Sequence, residues 1–136
     1  MRVVIDTNSI ISALIKNNLS RKIIFNKNFE FFAPDHIISE IYRHKEEIQN
    51  KAKITPEEFE IVISLIFENI TIIPKEEYNK YFDIAKNLIS DLDDCPFIAL
   101  CLAINAEAIW TEDTHFQSKD KIKILRTSDM LKYINY

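Results

Sequence analysis

Residues 1–8, Met-Arg-Val-Val-Ile-Asp-Thr-Asn, place an acid directly after a short apolar run. Such a run is typical of a buried parallel strand, because both faces of that strand are covered by other elements. In open α/β sheets, ligands bind beyond the carboxyl ends of the strands. Only one residue of Asp6-Thr7-Asn8 is needed to cap a following helix, so capping alone does not explain the triplet. We therefore expect Asp6 to lie at a ligand-binding edge of a sheet.

Four further apolar runs follow along the chain and alternate with helical patterns. They are residues 31–33, 70–73, 108–111 and 122–125. Strands that alternate with helices predict βαβ units and a parallel sheet. The sequence therefore predicts one α/β domain, residues 1–136, built as a three-layer α/β/α sandwich around a central parallel sheet of about five strands.

The helical patterns between these runs have recognisable starts. One helix is expected after Pro34, with apolar residues from position 37 to position 48 on one side, and another begins at Thr55-Pro56 with a capping box. A helix is also expected to open at Pro74 and to carry Tyr78, Tyr81 and Phe82; core burial explains these aromatic residues better than a subunit contact. Residues 97–104 are apolar all round, which predicts a helix buried between other elements.

Glycine is absent from the 136 residues, and this absence excludes several common sites. A phosphate-binding P-loop, a GxGxxG dinucleotide turn, a GxSxG nucleophile elbow and a standard EF-hand loop all require glycine. Asparagine is the next residue most tolerant of left-handed turns, and we expect it at several helix ends, including Asn105. The chemistry of the chain must therefore come from its side chains.

The overall composition is that of an ordinary globular chain, 47% hydrophobic and 28% charged. A net charge of −4 argues against a general nucleic-acid coat protein, which would be strongly basic. The two cysteines, Cys95 and Cys101, fit neither a CxxC motif nor a disulfide framework, so we expect two buried side chains of one helix. Neither a signal-peptide pattern nor an apolar run of membrane length is present, and we expect a cytoplasmic protein.

Three further acids recur at the ends of predicted strands and at the starts of predicted helices. Glu40 follows the second strand and lies between His36 and His44, which are roughly 12 Å apart along a helix and cannot share a zinc ion. Asp94 precedes the uniformly apolar helix, and Asp113 follows the fourth strand. Each acid has an ordinary explanation as a helix cap or a surface residue. If all four acids converge on one edge of the sheet, their carboxylates form a site for a hard divalent cation such as Mg²⁺.

The order of these motifs resembles that of the PIN-domain family. Asp-Thr-Asn follows the first strand, a glutamate lies early in the helix after the second strand, Asp-Asp-x-Pro precedes the buried helix, and Thr-x-Asp-x-x-Phe follows the fourth strand. The resemblance extends over about residues 2–116 and keeps all four motifs in order. One departure is Asn105-Ala106, where many relatives have glycine, and asparagine can adopt the same turn.

Carried over motif by motif, the resemblance implies four catalytic and metal-binding acids and three supporting residues. The acids are Asp6, Glu40, Asp94 and Asp113, and the supporting residues are Asn8, Asp93 and Thr111. The spacing to the buried helix favours Asp94 over the adjacent Asp93 as the third acid. PIN-like proteins are typically metal-dependent ribonucleases, so the resemblance implies an endoribonuclease that hydrolyses RNA with one or two Mg²⁺ or Mn²⁺ ions.

Small PIN proteins are often toxins of VapBC-type toxin–antitoxin pairs and commonly form dimers. The resemblance therefore implies a small antitoxin protein and a second copy of the chain as partners, besides an RNA substrate. The basic residues that could rim an RNA-binding cleft are Lys16, Arg21, Lys22 and Arg43. Solvated helix faces explain these four residues at least as well.

Other functions remain open on the sequence. A catalytically silent PIN-like domain that serves as a binding or assembly module is one, although four retained acids argue against it. A phosphoacceptor receiver domain also has acids at strand ends, but it requires a lysine after the last strand, where this chain has Arg126. A haloacid-dehalogenase phosphatase requires Asp-x-Asp, and Asp6-x-Asn8 does not match that motif.

Overall fold

A computed structural model describes residues 1–15, 18–89, 91–113, 116 and 122–134. In these residues, five strands form one parallel sheet in the order β3-β2-β1-β4-β5. The strands are β1 (Arg2–Ile5), β2 (Glu30–Pro34), β3 (Ile70–Ile73), β4 (Ala108–Trp110) and β5 (Lys123–Leu125). The predicted parallel sheet and the positions of its five strands are confirmed.

Helices occupy most of the connections between strands. They are α1 (Thr7–Leu14), α2 (Asn18–Ile24), α3 (Ile37–Arg43), α4 (Lys45–Ala52), α5 (Pro56–Phe67), α6 (Phe82–Leu88), α7 (Cys95–Ile104) and α8 (Thr127–Ile134). The connections that contain α1 to α5 run from β1 outward to β3, whereas the connection with α6 and α7 runs back from β3 to β4. Because such crossovers are right-handed, these two groups of helices cover opposite faces of the sheet. The predicted three-layer α/β/α arrangement is confirmed.

The centre of the molecule is formed by β1, β4 and α7. The β1 residues Val3, Val4 and Ile5 are fully buried, as is Trp110 at the end of β4. Helix α7 contacts β1, β2 and β4, and α6 packs behind it. Both cysteines are free and buried in α7, as predicted. No helix within the described ranges is long and apolar enough to cross a membrane.

Two predicted helices are interrupted. The helix expected to run through residues 37–48 breaks at His44, whose N–H bonds to Ile41 O three residues back at 3.0 Å. The apolar spacing does not detect this break, because Ile37, Ile41 and Ile48 are buried on both sides of it.

The prediction of one helix opening at Pro74 is wrong over the first two turns. Two short 3₁₀ turns, Lys75–Glu77 and Asn79–Tyr81, precede α6. Between them Tyr78 leaves helical geometry, is 1% exposed, and donates its hydroxyl to Asp35 Oδ1 at 2.8 Å. Burial of that ring in the core sets the local backbone.

The left-handed turns are made without glycine. Among the described residues, positive φ angles occur at Asn105 (54°) and Lys53 (57°), which end α7 and α4. The expectation for Asn105 is confirmed, whereas Lys53 shows that asparagine is not required at every such position.

Candidate active site

The sheet order creates a crevice at the carboxyl ends of β1 and β4. The chain leaves β1 toward β3 on one side and returns to β4 on the other, so these neighbouring strands lie at a topological switch point. Asp6 follows β1, and Thr111 and Asp113 follow β4. Asp6 N donates to Trp110 O at 3.3 Å, which joins the two strand ends. The parallel sheet therefore brings two of the predicted acids to one point.

Asp6 combines a capping role with an unusual electrostatic environment. It is the N-cap of α1, and its Oδ1 accepts a hydrogen bond from Ser9 N at 2.9 Å, while its Oδ2 accepts one from the hydroxyl of Thr111. Burial raises the pKa of this carboxyl, hydrogen bonds from Thr111 and Ser9 lower it, and the charge of Asp113 raises it further. A carboxylate has about four acceptor sites, so Asp6 retains capacity for a cation.

Thr111 connects Asp6 to the loop that carries Asp113. Its side chain is fully buried, and its hydroxyl donates to Asp6 while accepting from Asp113 N at 3.0 Å. The Asp113 residue itself is half-buried at the edge of the crevice. One hydroxyl thus links the carboxylate of Asp6 to the backbone of Asp113, although the two acids follow different strands.

Asp94 and Asp93 enter the site from the start of α7. They close a short 3₁₀ turn, Leu92–Asp94, whose N-cap Asp91 accepts a hydrogen bond from Asp93 N at 3.0 Å. Asp94 is 9% exposed, and among the described residues its carboxylate makes no capping hydrogen bond to α7. Asp93 is exposed. Capping of α7 therefore does not account for the buried carboxylate of Asp94.

Glu40 is held in α3 by two side chains. Its Oε2 accepts from the Thr7 hydroxyl at 3.2 Å, and its Oε1 lies 2.5 Å from His36 Nε2. The His36 ring packs edge-on against Phe97, whereas His44 faces Glu47 instead. Glu40 is therefore positioned from both sides, and the two histidines serve different neighbours, as their separation predicted.

All four predicted acids line a single cleft with a volume of about 120 Å³. The other lining residues are Thr7, Asn8, His44, Asp93, Phe97 and Phe116. Within the described ranges, no three His, Cys, Asp or Glu side chains are close enough to form a ready-made metal cage. A cleft edged by separated carboxylates suits Mg²⁺, because this ion keeps several water ligands and uses only one or two carboxylates directly.

A second cavity of about 290 Å³ adjoins the cleft and shares Glu40 and Asp93 with it. Arg43 lines this cavity and is exposed on α3. Arg21 instead donates to the last carbonyls of α1, to Ala13 O at 2.6 Å and to Leu14 O at 3.4 Å. Lys22 is exposed on α2, and Lys16 lies outside the described residues. Among the described basic residues predicted to bind RNA, Arg43 is the one beside the acids.

Sequence reasoning assigned no role to several residues of the site. Thr7 lies within the Asp-Thr-Asn triplet and Phe116 within the Thr-x-Asp-x-x-Phe motif, so a signal for both was present. Their contacts were not predictable: Thr7 reaches Glu40, and the Phe116 ring packs edge-on against Phe97 with centroids 6.4 Å apart. No sequence pattern indicates the role of Arg126, whose guanidinium contacts the Asp113 loop.

Comparison with known proteins places this geometry in a family. A family model described as PIN domain matches residues 4–133. No curated protein matches the chain. A chain in the crystal structure of VapBC2 from Rickettsia felis bound to a DNA fragment from their promoter is similar in fold, with a TM-score of 0.66 and 18% sequence identity. The match covers 93% of this chain and 98% of that chain. As the order of its motifs predicts, the chain belongs to the PIN-domain family.

Proposed function

We propose that this PIN-domain chain is a metal-dependent endoribonuclease that hydrolyses RNA phosphodiester bonds. The observation that carries the proposal is the convergence of Asp6, Glu40, Asp94 and Asp113 on one cleft. The donors are carboxylate oxygens, the ligands that Mg²⁺ and Mn²⁺ prefer. The pKa of Asp6 is raised by burial and by the charge of Asp113, and a bound cation would relieve both effects. The donor chemistry of these residues therefore supports the proposal that one or two divalent ions bind here, with water completing the coordination.

Each acid has a proposed task in this reaction. Asp6, Asp94 and Asp113 would hold the ion, directly or through water, and Glu40 would bind it or orient the attacking water. When bound, the ion supplies Lewis acidity, lowers the pKa of water and offsets phosphate charge. The Thr111 hydroxyl donates to Asp6 Oδ2 and would limit rotation of that carboxylate. The contacts of Glu40 with Thr7 and His36 would limit its rotation, so its carboxylate needs little reorganisation.

The adjoining cavity supports an RNA substrate. The cavity and the acid cleft share Glu40 and Asp93. An RNA strand with one phosphate at the acids could therefore continue past Arg43. An arginine guanidinium pairs well with phosphate oxygens, often through two parallel hydrogen bonds. Asn8 and Asp93 line the cleft and would contact water or ribose. Lys22 and Arg21 lie on α2, where they would act on more distant phosphates.

We further propose that the chain is a toxin controlled by a small antitoxin protein and that it acts as a homodimer. The toxin role is supported by the fold shared with a chain of the Rickettsia felis VapBC2 structure, and the homodimer is carried over from the resemblance to small PIN proteins. Co-expression tests this proposal: the chain alone should arrest bacterial growth, and the protein encoded by an adjacent small gene should restore growth and co-purify with it. Growth that is unaffected by the active chain would contradict the toxin role and leave the ribonuclease proposal standing.

A cleavage assay tests the ribonuclease directly. Structured and unstructured RNA should be cut with Mg²⁺ or Mn²⁺ and should remain intact with chelator. Asp6→Asn should lower the rate by about 100-fold or more, since loss of even an outer-shell partner costs about 10- to 100-fold. Asp83→Asn, which removes an exposed carboxylate on α6, is the matched control and should cleave normally. RNA binding without turnover would favour a silent binding module instead.

A further inference from the structure

Arg126, the residue directly after β5, holds the loop that follows β4. Its Nη1 donates to Thr111 O and to Asp113 O, both at 2.8 Å, and its Nη2 donates to Phe116 O at 3.1 Å. One guanidinium therefore gathers three backbone carbonyls from the segment that carries Asp113. Because these bonds are made to backbone atoms, they hold residues 111, 113 and 116 irrespective of their side chains.

The backbone of Arg126 is itself fixed at the junction of β5 and α8. Its N–H donates to Asp129 Oδ2 at 2.9 Å, and its carbonyl accepts from Asp129 N and Met130 N. The preceding Leu125 O accepts from Thr111 N at 3.0 Å. The backbone of Arg126 is thus bonded to α8 and lies next to a bonded residue of β5. Its side chain therefore extends from a fixed position to the carbonyls that it binds.

The chemistry of arginine suits this contact. The guanidinium is planar, permanently charged and carries five donors in a fixed fork, so it can serve several carbonyl dipoles at once. A lysine ammonium is a compact charge on a flexible stem and lacks this planar spread of donors. The residue that stands where a receiver domain requires lysine therefore binds the backbone of the segment that carries Asp113.

We propose that Arg126 is a positioning residue that sets the place of the Asp113 carboxylate relative to Asp6. The inference rests on the proposed metal site. It follows from two connections that meet at one loop: the Thr111 hydroxyl bridges Asp6 and Asp113 N, and Arg126 binds the carbonyls of Thr111 and Asp113. Without the guanidinium, Thr111 N still donates to Leu125 O and Thr127 N still donates to Glu112 Oε1, but the carbonyls of Asp113 and Phe116 lose their bonds to Arg126. Divalent-ion affinity then falls, because Asp113 samples positions away from the other acids.

Direct titration with Mn²⁺, in which free ion is measured by electron paramagnetic resonance, tests the inference without relying on activity. Arg126→Gln should raise the Mn²⁺ dissociation constant by about tenfold or more, the usual effect of losing a residue that orients a ligand. Arg126→Lys, which keeps the charge, should show a smaller increase in the same direction. Arg2→Gln is the matched control, because Arg2 Nη1 also donates to a backbone carbonyl, Ile104 O at 2.7 Å, but at the amino-terminal end of β1, away from the acids. The Mn²⁺ dissociation constant of Arg2→Gln should equal that of the parent chain.

A double variant separates positioning from general loosening of the site. If Arg126 acts through Asp113, Asp113→Asn combined with Arg126→Gln should bind Mn²⁺ as weakly as Asp113→Asn alone, because coupled residues are not additive. Additive losses would overturn the inference. If Arg126→Gln does not fold, Arg126→Lys decides, and parent-like Mn²⁺ binding by that variant would also overturn it.

Failure of this inference differs from failure of the proposed function. A parent chain that neither binds Mn²⁺ nor cleaves RNA removes the nuclease proposal, and the role of Arg126 falls with it. A parent chain that does both, that loses cleavage in Asp6→Asn and that is indifferent to changes at Arg126 refutes only the positioning role.

Discussion

Replacement of Thr111 by valine tests the connection between the two strand-end acids. The Thr111 side chain is fully buried, donates to the carboxylate of Asp6 and accepts from Asp113 N at 3.0 Å. Valine has nearly the same shape but neither donates nor accepts. The substitution therefore removes both hydrogen bonds without opening a cavity. Because the bond from Thr111 lowers the pKa of Asp6, its loss should also raise that pKa further.

The expected loss of stability follows from the two bonds. A hydrogen bond to a charged group contributes about 1.5–3 kcal/mol, and an unpaired buried N–H costs about 1–3 kcal/mol. The Asp113 N–H is only partly buried, so water replaces part of its lost bond. We expect Thr111→Val to lower the free energy of unfolding by about 2–4 kcal/mol. Thr111→Ser keeps both bonds and loses one buried methyl, which costs about 1 kcal/mol.

Urea unfolding at pH 7 in the presence of chelator measures both variants without a contribution from bound metal. The order of stability should be the parent chain, then Thr111→Ser, then Thr111→Val. A valine variant as stable as the serine variant would refute the reasoning, since it would show that the bridging hydroxyl contributes nothing. The slope of the unfolding curve should stay constant, which confirms that the same surface is exposed in each case.

The remaining predictions concern single groups with defined partners. Asp6→Asn in chelator should raise the free energy of unfolding at pH 7 by about 0.5–2 kcal/mol, because it removes a buried carboxylate whose charged form burial disfavours. Because the pKa of Asp6 is raised in the folded chain, its carboxyl keeps its proton to a higher pH when folded than when unfolded, and stability should fall as pH rises above the ordinary value of 3.8; urea titrations from pH 4 to 7 should show less of this fall in the variant. Tyr78→Phe removes the donor to Asp35 Oδ1 and should cost about 1–2 kcal/mol by thermal unfolding, whereas an unchanged midpoint would show that water replaces the hydroxyl. Asn105→Ala, at a φ of 54°, should destabilise by about 1 kcal/mol and Asn105→Gly should not; equal effects in calorimetry would exclude a left-handed backbone as the cause.

The sheet and the convergence of the acids were predictable because they depend on short-range patterns and on one topological rule. Branched apolar runs predict buried strands, and parallel strands present their carboxyl ends at one edge. The sequence did not predict that β1 and β4 are adjacent; once that strand order is known, the proximity of Asp6 and Asp113 requires no knowledge of side-chain conformation. For Asp94 the ordered motif was needed, because an acid before a proline is ordinary capping chemistry.

The details that hold the acids in place were not predictable from the sequence. The contact of Arg126 with the Asp113 loop depends on rotamers and on packing between segments distant in the chain. His36 and Glu40 have the spacing of a helical pair, but a sequence pattern does not show that Thr7 holds the other oxygen of Glu40. The break at His44 was missed for a related reason, since burial of an apolar face continues through it.

The pairing of β1 with β4, a strand made much later, also determines when the site can form during synthesis. The bond between Thr111 and Asp6 joins residues 105 positions apart, and the guanidinium of Arg126 bonds to the Thr111 carbonyl from a position later still in the chain. Ribosomes add about 5–20 residues each second, so several seconds separate the emergence of the first acid from that of its last support. Over that interval the nascent chain carries its acids on unjoined segments. An activity that depends on their convergence begins only after residue 126 has been made.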